Sequence, residues 1–146
     1  MPPPASAQTT PTTNKKSVTQ YRTASKGYAK QNKLNKETPR VIEARALLKA
    51  ARYMQMLQHD WTKTTTEHIE SALRINREIW LAFFEQASAR LAEDPHHTIS
   101  MQITSLSRFV LGRSLEILTN PSPEKLNALI TINREIAAGL MTAKVQ

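Results

Sequence analysis

The chain has 146 residues, room for one ordinary domain and a tail, and its lack of cysteine excludes disulfides and thiolate metal sites. Its formal net charge of +8 is unevenly spread: seven of the twenty basic residues lie in the first 37 positions, where Glu37 is the only acid. The rest of the chain is nearly neutral, so any electrostatic attraction to nucleic acid belongs to the tail and not to the body.

In chain order, residues 1–37 come first, rich in Pro, Thr, Ser, Asn, Gln and Lys and poor in aliphatics. Such a segment cannot bury enough apolar area to offset an ordering cost of about 1–2 kcal/mol per residue. A disordered basic tail is expected. The opening Met1-Pro2-Pro3-Pro4 lacks the apolar stretch of a secretory signal, and no run approaches the roughly 18–20 apolar residues of a membrane span. A soluble cytoplasmic protein with no membrane partner is the expectation.

From Thr38 to the C-terminus, residues 38–146, the pattern predicts a helical bundle domain. No proline occurs between Pro39 and Pro95, and apolar residues recur at helical spacing. The first helix opens on Thr38-Pro39, a cap and a first-turn proline, and runs to about Asp60. Ile42, Ala46, Ala50, Tyr53, Leu57 and Trp61 form its inner stripe. The second starts near Thr64 or Thr65, where Thr64-x-x-Glu67 fits a capping box. Its stripe is Ile69, Leu73, Asn76, Trp80, Phe83, Ala87 and Leu91. Asp94-Pro95-His96-His97 breaks the chain and caps the third helix, whose main face is Ile99, Ile103, Leu106, Val110 and Ile117. Ser122-Pro123-Glu124 starts the fourth, with Leu126, Leu129, Ile130, Asn133, Ala137 and Leu140 inward. Short connections make successive helices antiparallel.

The pentapeptide Ile75-Asn76-Arg77-Glu78-Ile79 recurs as Ile132-Asn133-Arg134-Glu135-Ile136. The same ungapped offset sets Ile69 on Leu126, Leu73 on Ile130, Phe83 on Leu140 and Tyr53 on Val110. The unit of repetition is therefore a helical hairpin, and the fold class is all-α: a four-helix bundle of two duplicated hairpins with pseudo-two-fold symmetry. Trp80 falls on Ala137, a large-against-small pair. Asn76 and Asn133 sit inside apolar arcs, where an unpartnered amide costs about 1–3 kcal/mol. They are expected to bond to each other or to backbone and to fix the bundle register.

No catalytic constellation emerges. His96-His97 are sequential, His59 and His68 lack metal-ligand spacing, and Gly27, Gly112 and Gly139 make no phosphate loop. Glu70, Glu78, Glu85, Glu116 and Glu135 lie on polar faces beside arginines, without the burial that acid–base work requires. Ser105, Ser107 and Ser114 have no histidine nearby in sequence. The expectation is a protein that is not an enzyme and takes no metal or cofactor.

The third helix is unusual in having apolar residues on two sides. Met101, Thr104, Leu111, Leu115 and Leu118 lie nearly opposite its main face, so it is either central or offers an apolar strip to a partner. Met101, Leu111 and Leu115 would suit an adaptable groove for an amphipathic helix. Met101, Thr104, Arg108, Leu111 and Leu115, with Arg77, Trp80 and Arg134, are the candidate partner-binding residues.

Several motifs taken together resemble the family of the flagellar biosynthesis regulatory protein FlaF. They are Gly27-Tyr28-Ala29, Thr38-Pro39-Arg40-x-x-Glu43-Ala44-Arg45-Ala46-Leu47-Leu48, Asn76-Arg77-x-x-Trp80, Ser105-Leu106-x-x-Phe109-Val110 and Ile132-Asn133-Arg134-x-Ile136-Ala137-x-Gly139-Leu140. The resemblance covers about residues 25–141 and leaves the first two dozen residues without a family role. It implies a non-catalytic cytoplasmic bacterial protein that binds flagellin and assists its synthesis and export, chaperone-like, acting with the flagellin regulator FlbT. The alternative is an RNA-binding regulator of flagellin message that uses the basic tail; the near-neutral body argues against nucleic acid.

Overall fold

A computed structural model describes residues 38–142. The expected tail, residues 1–37, lies outside the described residues. By its contacts the chain divides between Ile42 and Glu43, and the architecture below is that of the second unit. Among the described residues there are four α-helices and no strands: α1 Pro39–His59, α2 Thr66–Glu93, α3 Thr98–Thr119 and α4 Leu126–Thr142, with short 3-10 turns at Trp61–Lys63 and Pro123–Lys125. No helix among them is long and apolar enough to cross a membrane.

The helix ends follow local chemistry. The Thr38 hydroxyl accepts a hydrogen bond from the Val41 amide at 3.3 Å, and Pro39 takes the first helical position, as expected. At α2 the capping box falls one residue later than the spacing predicts. Thr65 is the cap, and His68 in place of Glu67 returns the reciprocal bond. Thr64 is used otherwise, donating its hydroxyl to the Leu57 and Asp60 carbonyls and so ending α1. His97 caps α3, accepting from the Ser100 amide. The fourth start signal yields one 3-10 turn before α4 proper begins at Leu126.

One apolar core runs through all four helices. The duplication is visible in its burial. In α4 the buried residues are Leu126, Leu129, Ile130, Asn133 and Ala137. At the offset of 57 that separates Asn76 from Asn133, they superpose on Ile69, Ala72, Leu73, Asn76 and Trp80 of α2, all buried. The weaker correspondence of α1 and α3 keeps three buried pairs, Leu47 with Thr104, Ala50 with Ser107 and Leu57 with Ser114.

At the meeting point of the copies lies a hydrogen-bonded cluster. Asn133 donates its side-chain amide to Asn76 Oδ1 at 2.7 Å and to the Leu47 carbonyl at 3.1 Å. Trp80 donates its indole N–H to Asn133 Oδ1 at 2.9 Å. Both asparagines and Trp80 are fully buried. Phe83 packs edge-on against Trp80, with ring centroids 5.3 Å apart. The cluster is not symmetric: Asn76 Nδ2 is buried with no partner. In the second copy alanine stands at position 137, the duplicate of Trp80, so no second indole N–H donates to Asn76 Oδ1.

Two inner faces differ from the sequence expectation. In α1 the buried residues are Ala44, Leu47, Ala50, Ala51, Met54 and Leu57, while Ala46, Tyr53 and Trp61 are only partly buried. Leucine and alanine on both sides of this helix blur its periodicity. In α3 the buried face is Ser100, Thr104, Ser107, Val110, Ser114 and Ile117. Ile103 and Leu106 are half-buried, and Ile99 is 65% exposed. The cause is the close packing of α2 against α3. Small side chains allow two helix backbones to approach, which bulky aliphatics would prevent. The buried hydroxyls satisfy themselves on their own helix: Ser107 donates to the Ile103 carbonyl at 2.7 Å, Ser114 to Val110 at 2.8 Å and Thr104 to Met101 at 2.9 Å.

Asn76 and Asn133 are equally buried, so truncating either removes the same volume and the difference isolates hydrogen bonding. Asn133→Ala strands the Trp80 indole N–H and Asn76 Oδ1, whereas Asn76→Ala also deletes an unpartnered donor. With about 1–3 kcal/mol per stranded group, Asn133→Ala is expected to lose at least about 2 kcal/mol more than Asn76→Ala in urea unfolding. Equal losses would show that the cluster contributes only packing.

Candidate functional site

Turning the serine face of α3 inward turns its larger apolar side chains outward. Nine large hydrophobic residues are exposed among those described, and four of them, Ile99, Met101, Phe109 and Leu115, lie on α3. This concentration, in a domain with a continuous core, marks α3 as the candidate docking element. Met101 is 51% exposed and Leu115 63%. Thr98, Met101, Gln102, Ser105, Leu106 and Phe109 line a shallow trough of about 500 Å³ along the helix. Among the described residues its lining comes from α3 alone, so it lacks an opposite wall.

A second concavity, of about 250 Å³, lies where Phe83 and Ala87 of α2, Ile99 and Ile103 of α3, and Ile136 and Leu140 of α4 converge. Ile99, in the first turn of α3, is on the rim of this notch, which accounts for its exposure. The lining is apolar apart from Glu43, Gln86 and Ser100. No cluster of potential metal ligands occurs among the described residues.

The aromatic side chains of this region carry arginines. Arg108 of α3 lies over the Phe84 ring of α2, 5.7 Å from its centroid, and Arg113 lies over Phe109 at 5.4 Å. Arg113 also pairs with Glu116 at 3.7 Å, and Lys125 approaches Glu116 at 3.9 Å. Both pairs share the exposed Glu116, are long, and are worth little to stability.

The structure separates the eight candidate contact residues. Met101, Arg108 and Leu115 are exposed and share one side of α3. Leu111 is half-buried. Thr104 is buried and bonded within its own helix. Trp80 is fully buried and bonded to Asn133. Thr104 and Trp80 therefore belong to the core and present nothing to a partner. Their apolar bulk suggested a contact, but close α2–α3 packing and the asparagine cluster consume it. Arg134, on α4, bonds to Gln55 of α1, so it serves the α1–α4 contact and not the α3 face. Arg77, on α2, is half-buried. Asn76 and Asn133 bond to each other inside the core.

Phe109 is the contact-face residue that periodicity missed. Phe109 falls between Leu106 and Val110, both assigned inward, and only the inward serines reveal that it faces out. A run of serines at helical spacing was the available signal.

Because Trp80 is core and Leu115 is surface, Trp80→Ala should lower stability by about 3–5 kcal/mol. Leu115→Glu should change it by less than about 0.5 kcal/mol. Thermal unfolding followed by circular dichroism separates them, and a large loss at Leu115 would place that side chain inside the fold.

A family model described as "Flagellar protein FlaF" matches residues 24–140, most of the chain. No curated protein and no solved structure matches it.

Proposed function

Since the chain belongs to the FlaF family of flagellar proteins, we propose that it is a non-catalytic, chaperone-like binder of flagellin that assists the synthesis and export of this client. The reading further gives it a cytoplasmic site of action and FlbT as a co-regulator. A flagellar role follows from the family; the geometry of α3 supports the binding of a client, and the remaining parts of the reading rest on the resemblance.

The observation that carries the proposal is the exposure of Met101, Phe109 and Leu115 on a helix whose inward side is already complete with serines. These side chains are not needed to close the core, and since each is about half exposed, leaving it in water forfeits roughly half of the 1.5–3 kcal/mol of a full burial. Flagellin's terminal helices are amphipathic and pack only in the filament, so an unassembled subunit has apolar faces to cover. An exposed helical strip covers such a face by helix-on-helix packing. Methionine and leucine adapt to imperfectly matched surfaces, as a reversible holder requires.

The test is co-purification of flagellin with the tagged full-length chain. Wild type should retain flagellin, and the double variant Met101→Glu/Leu115→Glu should retain at least about tenfold less while keeping its thermal midpoint, since losing two apolar anchors amounts to at least about 1.4 kcal/mol. Undiminished capture would remove α3 as the contact. If instead the chain binds flagellin message in a steeply salt-dependent way, and removal of residues 1–37 abolishes this, the RNA-regulator reading replaces the proposal.

A further inference from the structure

The duplication allows one half of the molecule to serve as a control for the other. The contact of α1 with α4 is the counterpart of the contact of α2 with α3, and the two seams differ in how they are filled. In the first, Arg134 bonds to Gln55, and Gln58 donates to the Pro123 carbonyl at 2.8 Å and to Asn127 Oδ1 at 2.6 Å. On the same helix Ala44 and Ala51 are buried. This seam is closed by its own side chains.

In the second seam every one of these positions except the arginine is changed. Arg77 is the duplicate of Arg134, but the duplicate of Gln55 is Gly112, so the acceptor that Arg134 uses is missing. Arg77 and Arg108 have no ion-pair partner among the described residues. Met101, Arg108 and Leu115 replace Ala44, Ala51 and Gln58, and all three are exposed. A Cβ at Gly112 would meet nothing within 4 Å. Position 112 is exposed and has room for a side chain, but carries none.

The open seam has a defined register. Arg108 touches Phe84 across it. The two helices are antiparallel, so one heptad along each from that contact brings Leu91 beside Met101 in one direction and Arg77 beside Leu115 in the other. Three rungs at two-turn intervals extend over about 21 Å. A third helix lying along such a ladder meets side chains at coiled-coil spacing. Two of the six rung side chains, Arg77 and Arg108, offer guanidinium donors to a partner, and α3 has no acid before Glu116.

We infer that the outer edge of the α2–α3 seam, which lacks the polar side-chain closure of the α1–α4 seam, takes as a third strand an amphipathic helix with heptad-spaced apolar residues and carboxylates facing Arg77 and Arg108. This deepens the flagellin reading and rests on it for the identity of the client, though not for the chemistry of the seam.

The test uses the full chain and two synthetic helical peptides with the same heptad apolar pattern, one with Glu and one with Lys beside the apolar strip, titrated by fluorescence anisotropy. Wild type should bind the Glu peptide at least about tenfold more tightly than the Lys peptide, with the gap narrowing as salt rises. Gly112→Gln, which restores the acceptor of the closed seam, should weaken the Glu peptide about tenfold while holding or raising the thermal midpoint. Arg77→Glu should reverse the preference between peptides, and it carries the test if Gly112→Gln fails to fold. Equal affinities for the two peptides, or a folded Gly112→Gln that binds like wild type, would overturn the seam. The same variants are assayed for flagellin capture. Peptide discrimination without flagellin capture leaves the seam standing and discards flagellin as client. Flagellin capture indifferent to both substitutions discards the seam and leaves the client.

Discussion

The buried amide pair Asn76–Asn133 is the constraint on which the rest of the molecule depends. Each copy of the hairpin has an apolar stripe that could slide along its neighbour at little cost, because aliphatic packing is weakly directional. An amide inside that stripe is different. Moving one copy by a turn would separate Asn133 from Asn76 Oδ1, from the Leu47 carbonyl and from the Trp80 indole, stranding several polar groups in an apolar interior. One register therefore satisfies the cluster. The residual unpartnered Asn76 Nδ2 shows that the copies have diverged from exact symmetry without giving up that register.

With the register fixed, the rotation of α3 about its axis follows. The α2 and α3 backbones come close together, and the side of α3 that fits the gap is the one with Ser100, Thr104, Ser107 and Ser114. Burying serines is usually unfavourable, but a hydroxyl that donates to a carbonyl one turn earlier brings its own acceptor into the core. The exposure of Met101, Phe109 and Leu115 is thus a consequence of core geometry, and the surface that could meet a partner is set by the interior.

What the sequence made legible, and what it did not, divides along the same physical line. The helices, their order, the duplication and the paired asparagines could all be read, because proline punctuation, an ungapped offset and an isolated amide among aliphatics are strong local signals. The inward faces of α2 and α4 were legible for the same reason: most of their aliphatics occupy one side, the exposed Ile75 and Leu81 apart. The face of α3 was not. Hydrophobicity ranks Ile99 above Ser100 and Leu106 above Ser107, yet interhelical distance selects for size, and distance is a property of the assembled bundle. Trp80 was misassigned in part because its role depends on an acceptor that is remote in sequence. The capping box moved from Thr64 to Thr65 because Thr64 was already bonded to the end of the preceding helix.

Duplication offers a way for one small domain to be both stable and available. A single hairpin pair with two identical seams would either close both, leaving no surface to offer, or open both, losing apolar burial it needs. Divergence of the two copies removes the conflict. The α1–α4 seam keeps complementary amide contacts, while the α2–α3 seam carries long side chains outward. The arginines then matter in the free state as well. Arg108 over Phe84 and Arg113 over Phe109 cover aromatic faces with charged, well-hydrated groups. That cover makes self-association of the exposed strip unfavourable, since two copies would bring like charges together. An incoming acidic helix faces no such repulsion. The same arginines thus discourage the wrong contact and favour the complementary one, so selectivity on this face comes from charge and the apolar rungs supply affinity.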